Sequence, residues 1–276
     1  MSANRVAVVG VGQTKYSAIR GDVSLPGLLR EAVYRALADA HMTMDDIGIL
    51  VALKDRLNAL KNPYAHLHEP DITYDSVKES FMLWEPIRYS ETCPSSDGAI
   101  ALVLAGEEAA EASAASTGVA PAWILGTSMR SEPAMASGRD QVNPQASRDC
   151  AADVYRQAGI TNPRADVDVV EMYVPFSWYE PMWLESLGFA EVNLGWKMTE
   201  EGATQMDGDL PVNCSGGVLS TNPIGASGMI RFGEAAMQVR GQAGDHQIDG
   251  AKLAVGHAYG GAAQFYAMWV VSSDKP

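Results

Sequence analysis

The chain has 276 residues, 47% hydrophobic and 20% charged, which suits one large globular domain or two small ones. A formal net charge of −14 argues against nucleic acid and anionic membrane surfaces as partners. No apolar run reaches membrane-span length and no signal-peptide pattern is seen, so a cytoplasmic location is expected; Cys93, Cys150 and Cys214 are far apart, lack metal-ligand spacing and are expected to be reduced.

Residues 5–12 (RVAVVGVG) read as a buried strand, because Val6, Val8, Val9 and Val11 make a nearly continuous apolar run. The GxG that ends it lacks a third glycine and a following helix start, so no dinucleotide site is assigned. Residues 25–40 carry Leu28, Leu29, Val33 and Ala36 on one helical stripe, and a second helix is expected over 47–60, ended by Asn62-Pro63-Tyr64. His66 and His68 have no acidic or thiol partner at ligand spacing, and no metal is assigned. A short helix over 73–79 and a turn at 84–86 lead to 99–105, an apolar run that reads as a buried central strand, with Cys93 before it as a structural thiol.

Residues 107–115 form an Ala/Glu-rich helix, and Thr117-Gly118-Val119-Ala120-Pro121 is a natural boundary. A strand at 122–128, a Ser/Gly/Pro/Met-rich loop at 129–144 and a helix at 147–158 follow. A strand at 166–170 turns through 171–177 into a helix at 178–187, whose Trp178, Tyr179 and Trp183 look exposed. Residues 210–241 hold two glycine-rich loops, Ser215-Gly216-Gly217 and Asn222 to Gly228, before a helix with Met229, Phe232, Ala236 and Val239 on its apolar stripe. Such loops present N–H groups to an anion or a developing oxyanion, and the same glycines serve tight turns onto a buried helix. The chain closes with a loop at 256–261, Gly-His-Ala-Tyr-Gly-Gly, and a strand at 264–271.

The order Asn213-Cys214-Ser215-Gly216-Gly217, then Asn222-Pro223-Ile224-Gly225-Ala226-Ser227-Gly228, resembles the thiolase superfamily loop written GG…GHPxGASG. Residues 5–12, 92–105 (TCPSSDGAIALVLA) and 255–271 (VGHAYGGAAQFYAMWVV) agree with that family in the same order. The chain looks most like the lipid-transfer, sterol-carrier-protein-x type. The resemblance implies an α/β fold of two similar βαβαβ halves in α-β-α-β-α layers, with a truncated first half at 1–120 and a complete second half at 121–276. The truncation is expected near 40–50, where the first helix runs almost directly into one that lies much later in a complete thiolase. The skipped region carries the family's nucleophilic cysteine, and no such motif occurs in this chain.

Site residues follow from the same resemblance. Tyr173 stands where the family carries a His or Asn that helps polarise the thioester carbonyl. Asn222 replaces the histidine that activates the nucleophile; an amide donates a hydrogen bond but takes no proton. His257 and Tyr259 occupy the loop that carries a second acid/base. Ser215, Gly216, Gly217, Ser227, Gly228, Gly260 and Gly261 are the expected substrate-binding positions, their N–H groups acting as oxyanion donors. Coenzyme A is implied as substrate or product, with no resident cofactor. The first reading is an acyl-CoA C-acyltransferase-like protein of lipid or sterol side-chain metabolism. A second is a retro-aldolase on β-hydroxyacyl-CoA steroid side chains, acting with a small zinc-ribbon and OB-fold partner. A third is a non-catalytic subunit that binds acyl-CoA or a partner. The resemblance also implies a homodimer.

Overall fold

A computed structural model describes residues 13, 35 and 44–276, Ala136 apart. The strand expected at 5–12 and, Arg35 apart, the helix expected at 25–40 lie outside the described residues. The chain divides into two compact units, Met1–Gly48 and Ile49–Pro276, and the second holds the motifs from residue 62 onward.

Helix α1 (Met44–Ala59) and the short α2 (Tyr74–Lys78) precede a small hairpin, β1 (Met82–Trp84) and β2 (Ile87–Arg88). Then come α3 (Glu107–Thr117), β3 (Trp123–Ser131), α4 (Gln145–Ala158), the short α5 (Pro163–Asp166), β4 (Val169–Glu171), α6 (Tyr179–Ser186) and α7 (Gly195–Glu200). The single turn α8 (Gly217–Ser220), helix α9 (Ser227–Val239) and the hairpin β5 (Leu253–Gly260) and β6 (Phe265–Ser272) complete the order.

The main sheet runs β3-β6-β5-β4; β3–β6 and β5–β6 are antiparallel and β4–β5 is parallel. Its strands alternate between two covered faces, as a period of two requires. Val170, Val255, Tyr266, Met268 and Val270 pack with Cys150, Val154 and Tyr155 of α4 and Trp183 and Leu184 of α6. Val169, Ala254, Trp269 and Val271 pack on the opposite face with Ala235 and Val239 of α9. Helix α4 forms because Cys150, Ala151, Val154 and Tyr155 fall on one stripe, and it stops at Gly159, whose left-handed conformation caps its last turn.

Several expectations are corrected. The run 99–105 is not a buried strand: it is irregular, and Val103 is 95% exposed. An apolar run becomes a strand only beside a ladder partner, and among the described residues nothing pairs with it. Helix α3, which follows it, buries no side chain. The motif at 256–261 is strand rather than loop up to Gly260. Trp183 is fully buried, not exposed.

Candidate active site

Beside the apolar Ala235 and Val239, α9 buries a polar stripe. Ser227, Arg231, Glu234 and Gln238 recur at helical spacing and are all buried, whereas Met229 is 46% exposed. Each has a partner from another element. Arg231 pairs with Glu171 at the end of β4 and donates to Ser215 Oγ at 2.8 Å. Glu234 bonds His246 at 3.0 Å, and Gln238 donates to the His246 carbonyl at 2.7 Å. Burial alone would pull His246 toward its neutral form, but the Glu234 bond outweighs this and raises its pKa.

This stripe explains the first glycine loop. The Ser215 N–H and hydroxyl both donate to Glu171, at 3.0 and 2.8 Å. The Gly216 N–H donates to the Asn213 carbonyl and the Gly217 N–H to Ser215 Oγ. Gly216 has φ +89°, and a Cβ there would lie 2.6 Å from that of Ala59 in α1. The donors expected to meet a substrate at Ser215, Gly216 and Gly217 are therefore spent within the fold, where the loop docks on α1. Beneath it, Lys54 of α1 donates to Glu180 of α6 at 2.7 Å and to the Val212 carbonyl at 2.9 Å. Burial raises Asp55 to about 7 and raises Glu180 as well, while the Lys54 ammonium that pairs with both opposes these shifts.

The second glycine loop does meet the Tyr173 turn. The Tyr173 hydroxyl donates to Asn222 Oδ1 at 3.2 Å, and Ser227 Oγ donates to the same oxygen at 2.8 Å. The Asn222 amide nitrogen donates to Cys93 Sγ at 3.1 Å. Cys93 is held there because its N–H donates to the Pro175 carbonyl. Ser96 closes the arrangement: its N–H donates to the Asn222 carbonyl, its hydroxyl accepts from the Asn222 N–H at 3.0 Å, and His66 Nδ1 lies 2.9 Å from that hydroxyl. Cys93 thus sits in the cluster as a hydrogen-bonded thiol. Burial raises its pKa despite the Asn222 bond, so the thiol stays protonated near neutral pH.

His257 and Tyr259 lie on one face of β5. Tyr259 meets Tyr173 edge-on at 5.2 Å between ring centres, stacks on Tyr179 at 5.3 Å and contacts Trp183 at 5.1 Å. Burial, together with the neighbouring Tyr179 phenol, raises the Tyr259 pKa; burial does the same to Tyr173. Both phenols are neutral at pH 7, and the Tyr173 proton is directed at Asn222 Oδ1. His257 is completely buried between Trp183 and Tyr266, with neither ring nitrogen hydrogen-bonded. Burial lowers its pKa to about 3. A buried imidazole with no hydrogen-bond partner is poorly placed for the proton transfer expected of His257.

Gly228, in the first turn of α9, lets the helix approach β5: a Cβ there would stand 2.8 Å from that of Ala258. Gly260 ends β5, and Gly261, Ala262 and Ala263 follow with φ of +60°, +52° and +63°. Left-handed backbone costs an L-residue about 1–2 kcal/mol, so this turn needs external support. A cavity of about 550 Å³ lies elsewhere, lined by 101–105 and Trp269. Among the described residues no cluster of His, Cys, Asp and Glu fits a metal ion.

Comparison with known proteins matches this architecture. Residues 128–273 fit the family model of the thiolase C-terminal domain-like region. The chain is 30% identical over 268 residues to an acetyl-CoA acetyltransferase of Methanothermobacter thermautotrophicus, covering 96% of this chain and 68% of that protein. It is 30% identical over 218 residues to sterol carrier protein 2 of Rattus norvegicus, covering 77% of this chain and 39% of that one. The Ltp2-ChsH2(DUF35) aldolase shares the fold, with a TM-score of 0.72 and 23% identity over 87% of this chain and 61% of its own. The present chain therefore spans about two thirds of the first relative and well under half of the second. With the β5–β6 hairpin, the Asn222 loop and the Tyr173 turn converging as they do, the chain belongs to the thiolase superfamily, in its sterol-carrier-protein-2 type.

Proposed function

We propose that the site acts on acyl-CoA thioesters of lipid or sterol side-chain metabolism, and that it cleaves β-hydroxyacyl-CoA by retro-aldol chemistry. The observation that carries this reading is the pair of neutral phenols, Tyr173 and Tyr259, in edge contact beside Asn222. In a retro-aldol step the β-hydroxyl loses its proton, the Cα–Cβ bond breaks, and its electron pair becomes the thioester enolate. The enolate takes a proton at Cα, giving a ketone or aldehyde and a shortened acyl-CoA. A neutral phenol suits this because it can give a proton to the enolate as it accepts one from the hydroxyl. Hydrogen bonds from the second phenol and from the amide of Asn222 would stabilise the enolate oxygen.

Acyl transfer needs a thiolate and a base to make it. Cys93 is the only thiol bonded within this cluster; it is held protonated, and its partner Asn222 takes no proton. An aromatic track supports a bulky apolar acyl group. Trp84, 55% exposed, contacts Phe176 at 6.0 Å, which contacts Tyr179 at 6.0 Å, next to Tyr259. The name of the aldolase that shares the fold includes a DUF35 component, which supports a small zinc-ribbon and OB-fold partner for this chain; a homodimer and the division into halves near 120 belong to the same proposal.

The test is to incubate the purified protein with a steroid or branched β-hydroxyacyl-CoA and analyse the products. The proposal expects a carbonyl compound and a shortened acyl-CoA in equal amounts. Saturable thioester binding without products would replace it with a binding role.

A further inference from the structure

We propose that Arg139 is a positioning residue that holds the turn between β5 and β6 and thereby sets Tyr259 and Tyr266. This rests on the reading of Tyr259 as part of the acid/base pair. The turn is unusual because two alanines follow Gly261 in left-handed conformation. Within it, the Gln264 N–H donates to the carbonyls of Gly260 and Gly261, at 3.0 and 3.1 Å. Residues in such a run turn their carbonyls outward together, and a cation is the natural partner for them.

The Arg139 guanidinium supplies it. Nη1 donates to the Ala263 carbonyl and Nη2 to the Ala262 carbonyl, each at 2.7 Å. Nε and Nη2 also donate to the Met135 carbonyl, which fixes the guanidinium plane. All these acceptors are carbonyls, so the arginine spends its donors on backbone rather than on a carboxylate. The Ala263 carbonyl is shared, since the Tyr266 hydroxyl also donates to it at 2.9 Å. Tyr266 is the cross-strand partner of Tyr259, and their rings stack with centres 6.4 Å apart. The chain of contact therefore runs from Arg139 through two carbonyls and one phenol to the proposed acid/base. A second tie supports the same turn: the Glu132 N–H donates to the Gln264 carbonyl at 2.8 Å.

The experiment compares the full chain with Arg139→Met and Arg139→Lys. It reads amide exchange at Gln264 and, by carbon-13 labelling of tyrosine, the signals of Tyr259 and Tyr266. Arg139→Met is expected to speed Gln264 exchange at least tenfold and to shift both tyrosine signals, while the amides of α4, such as Val154, exchange as in the wild type. Arg139→Lys, which keeps the cation with fewer donors, is expected to fall between, and it carries the test if the Met variant does not fold. Unchanged Gln264 exchange and tyrosine signals would overturn the proposal, as would equal acceleration at Val154, which marks general destabilisation. Where the wild type cleaves a thioester, kcat is expected to fall in Arg139→Met with KM within threefold. If no thioester is cleaved but the signals move, the assigned reaction fails and the role of Arg139 in setting the tyrosines stands.

Discussion

Asn222 Oδ1 accepts from two hydroxyls, Tyr173 and Ser227, so the amide nitrogen is turned toward Cys93. A histidine at this position could take a proton; the amide instead holds Tyr173 by a hydrogen bond. Tyr173→Phe and Tyr259→Phe should each lower kcat on a β-hydroxyacyl-CoA by about 10²–10⁴-fold, the usual worth of a positioned acid/base, with KM changed much less. A steady-state comparison decides it, and losses confined to KM would reassign the tyrosines to binding. His257 makes a separate prediction about stability. Its folded pKa, about 3, lies below the ordinary value near 6.5 of an unfolded chain. Between these values the unfolded state binds a proton that the folded state does not, so this residue's contribution rises with pH and is lost as pH falls below 6.5. Asp55, raised to about 7, has the opposite slope between about 4 and 7, so the difference between variants is the useful quantity. From pH 6.5 to 4.5 the wild type should lose about 2–3 kcal/mol more than His257→Leu in urea melts. Equal losses would mean that His257 is hydrated or paired in solution.

Helix α9 is the element in which sequence pattern and structure part most clearly. Its apolar stripe Met229, Phe232, Ala236 and Val239 marks the helix, and Val239 is buried with Phe232 and Ala236 packed beside it, yet the helix also buries the polar Ser227, Arg231, Glu234 and Gln238. Periodicity finds apolar faces only, and these polar residues can be buried because each is paired, Arg231 with Glu171 60 residues away and the others with the nearby His246 and Asn222. Arg231→Met would leave Glu171 buried without its cation and should cost about 3–5 kcal/mol, measured by denaturant unfolding. A loss under about 1 kcal/mol would show that Glu171 is already protonated and does not need the pair. Gly228→Ala puts a methyl against Ala258 and should cost about 1–3 kcal/mol in the same measurement. The meeting of Tyr173 with Asn222, 49 residues apart, was legible only through the family order of motifs. The contact of Cys93 with Asn222, 129 residues away, is not written in its own segment.

At the scale of the molecule, the second half of the chain carries a sheet covered on both faces, while 99–105 and α3 lie largely uncovered. The apolar composition of 99–105 predicts a buried strand, and without a ladder partner among the described residues the segment is irregular instead. Val103→Lys should therefore leave unfolding stability within about 0.5 kcal/mol and reduce association on concentration, seen by light scattering. A loss of more than about 2 kcal/mol would mean that Val103 is packed in solution. The chain spans 68% of one thiolase relative and 39% of another, so the chemistry assigned to it rests on the residues that converge at Tyr173, Asn222 and Tyr259. The most direct test follows β-hydroxyacyl-CoA through the wild type, Cys93→Ser and Tyr259→Phe while intact-mass spectrometry looks for acyl-enzyme. Cleavage that survives Cys93→Ser within about tenfold, collapses in Tyr259→Phe and leaves no acyl adduct is the predicted result. An acyl adduct on Cys93, with activity lost in Cys93→Ser, would contradict the account and return the protein to covalent acyl transfer.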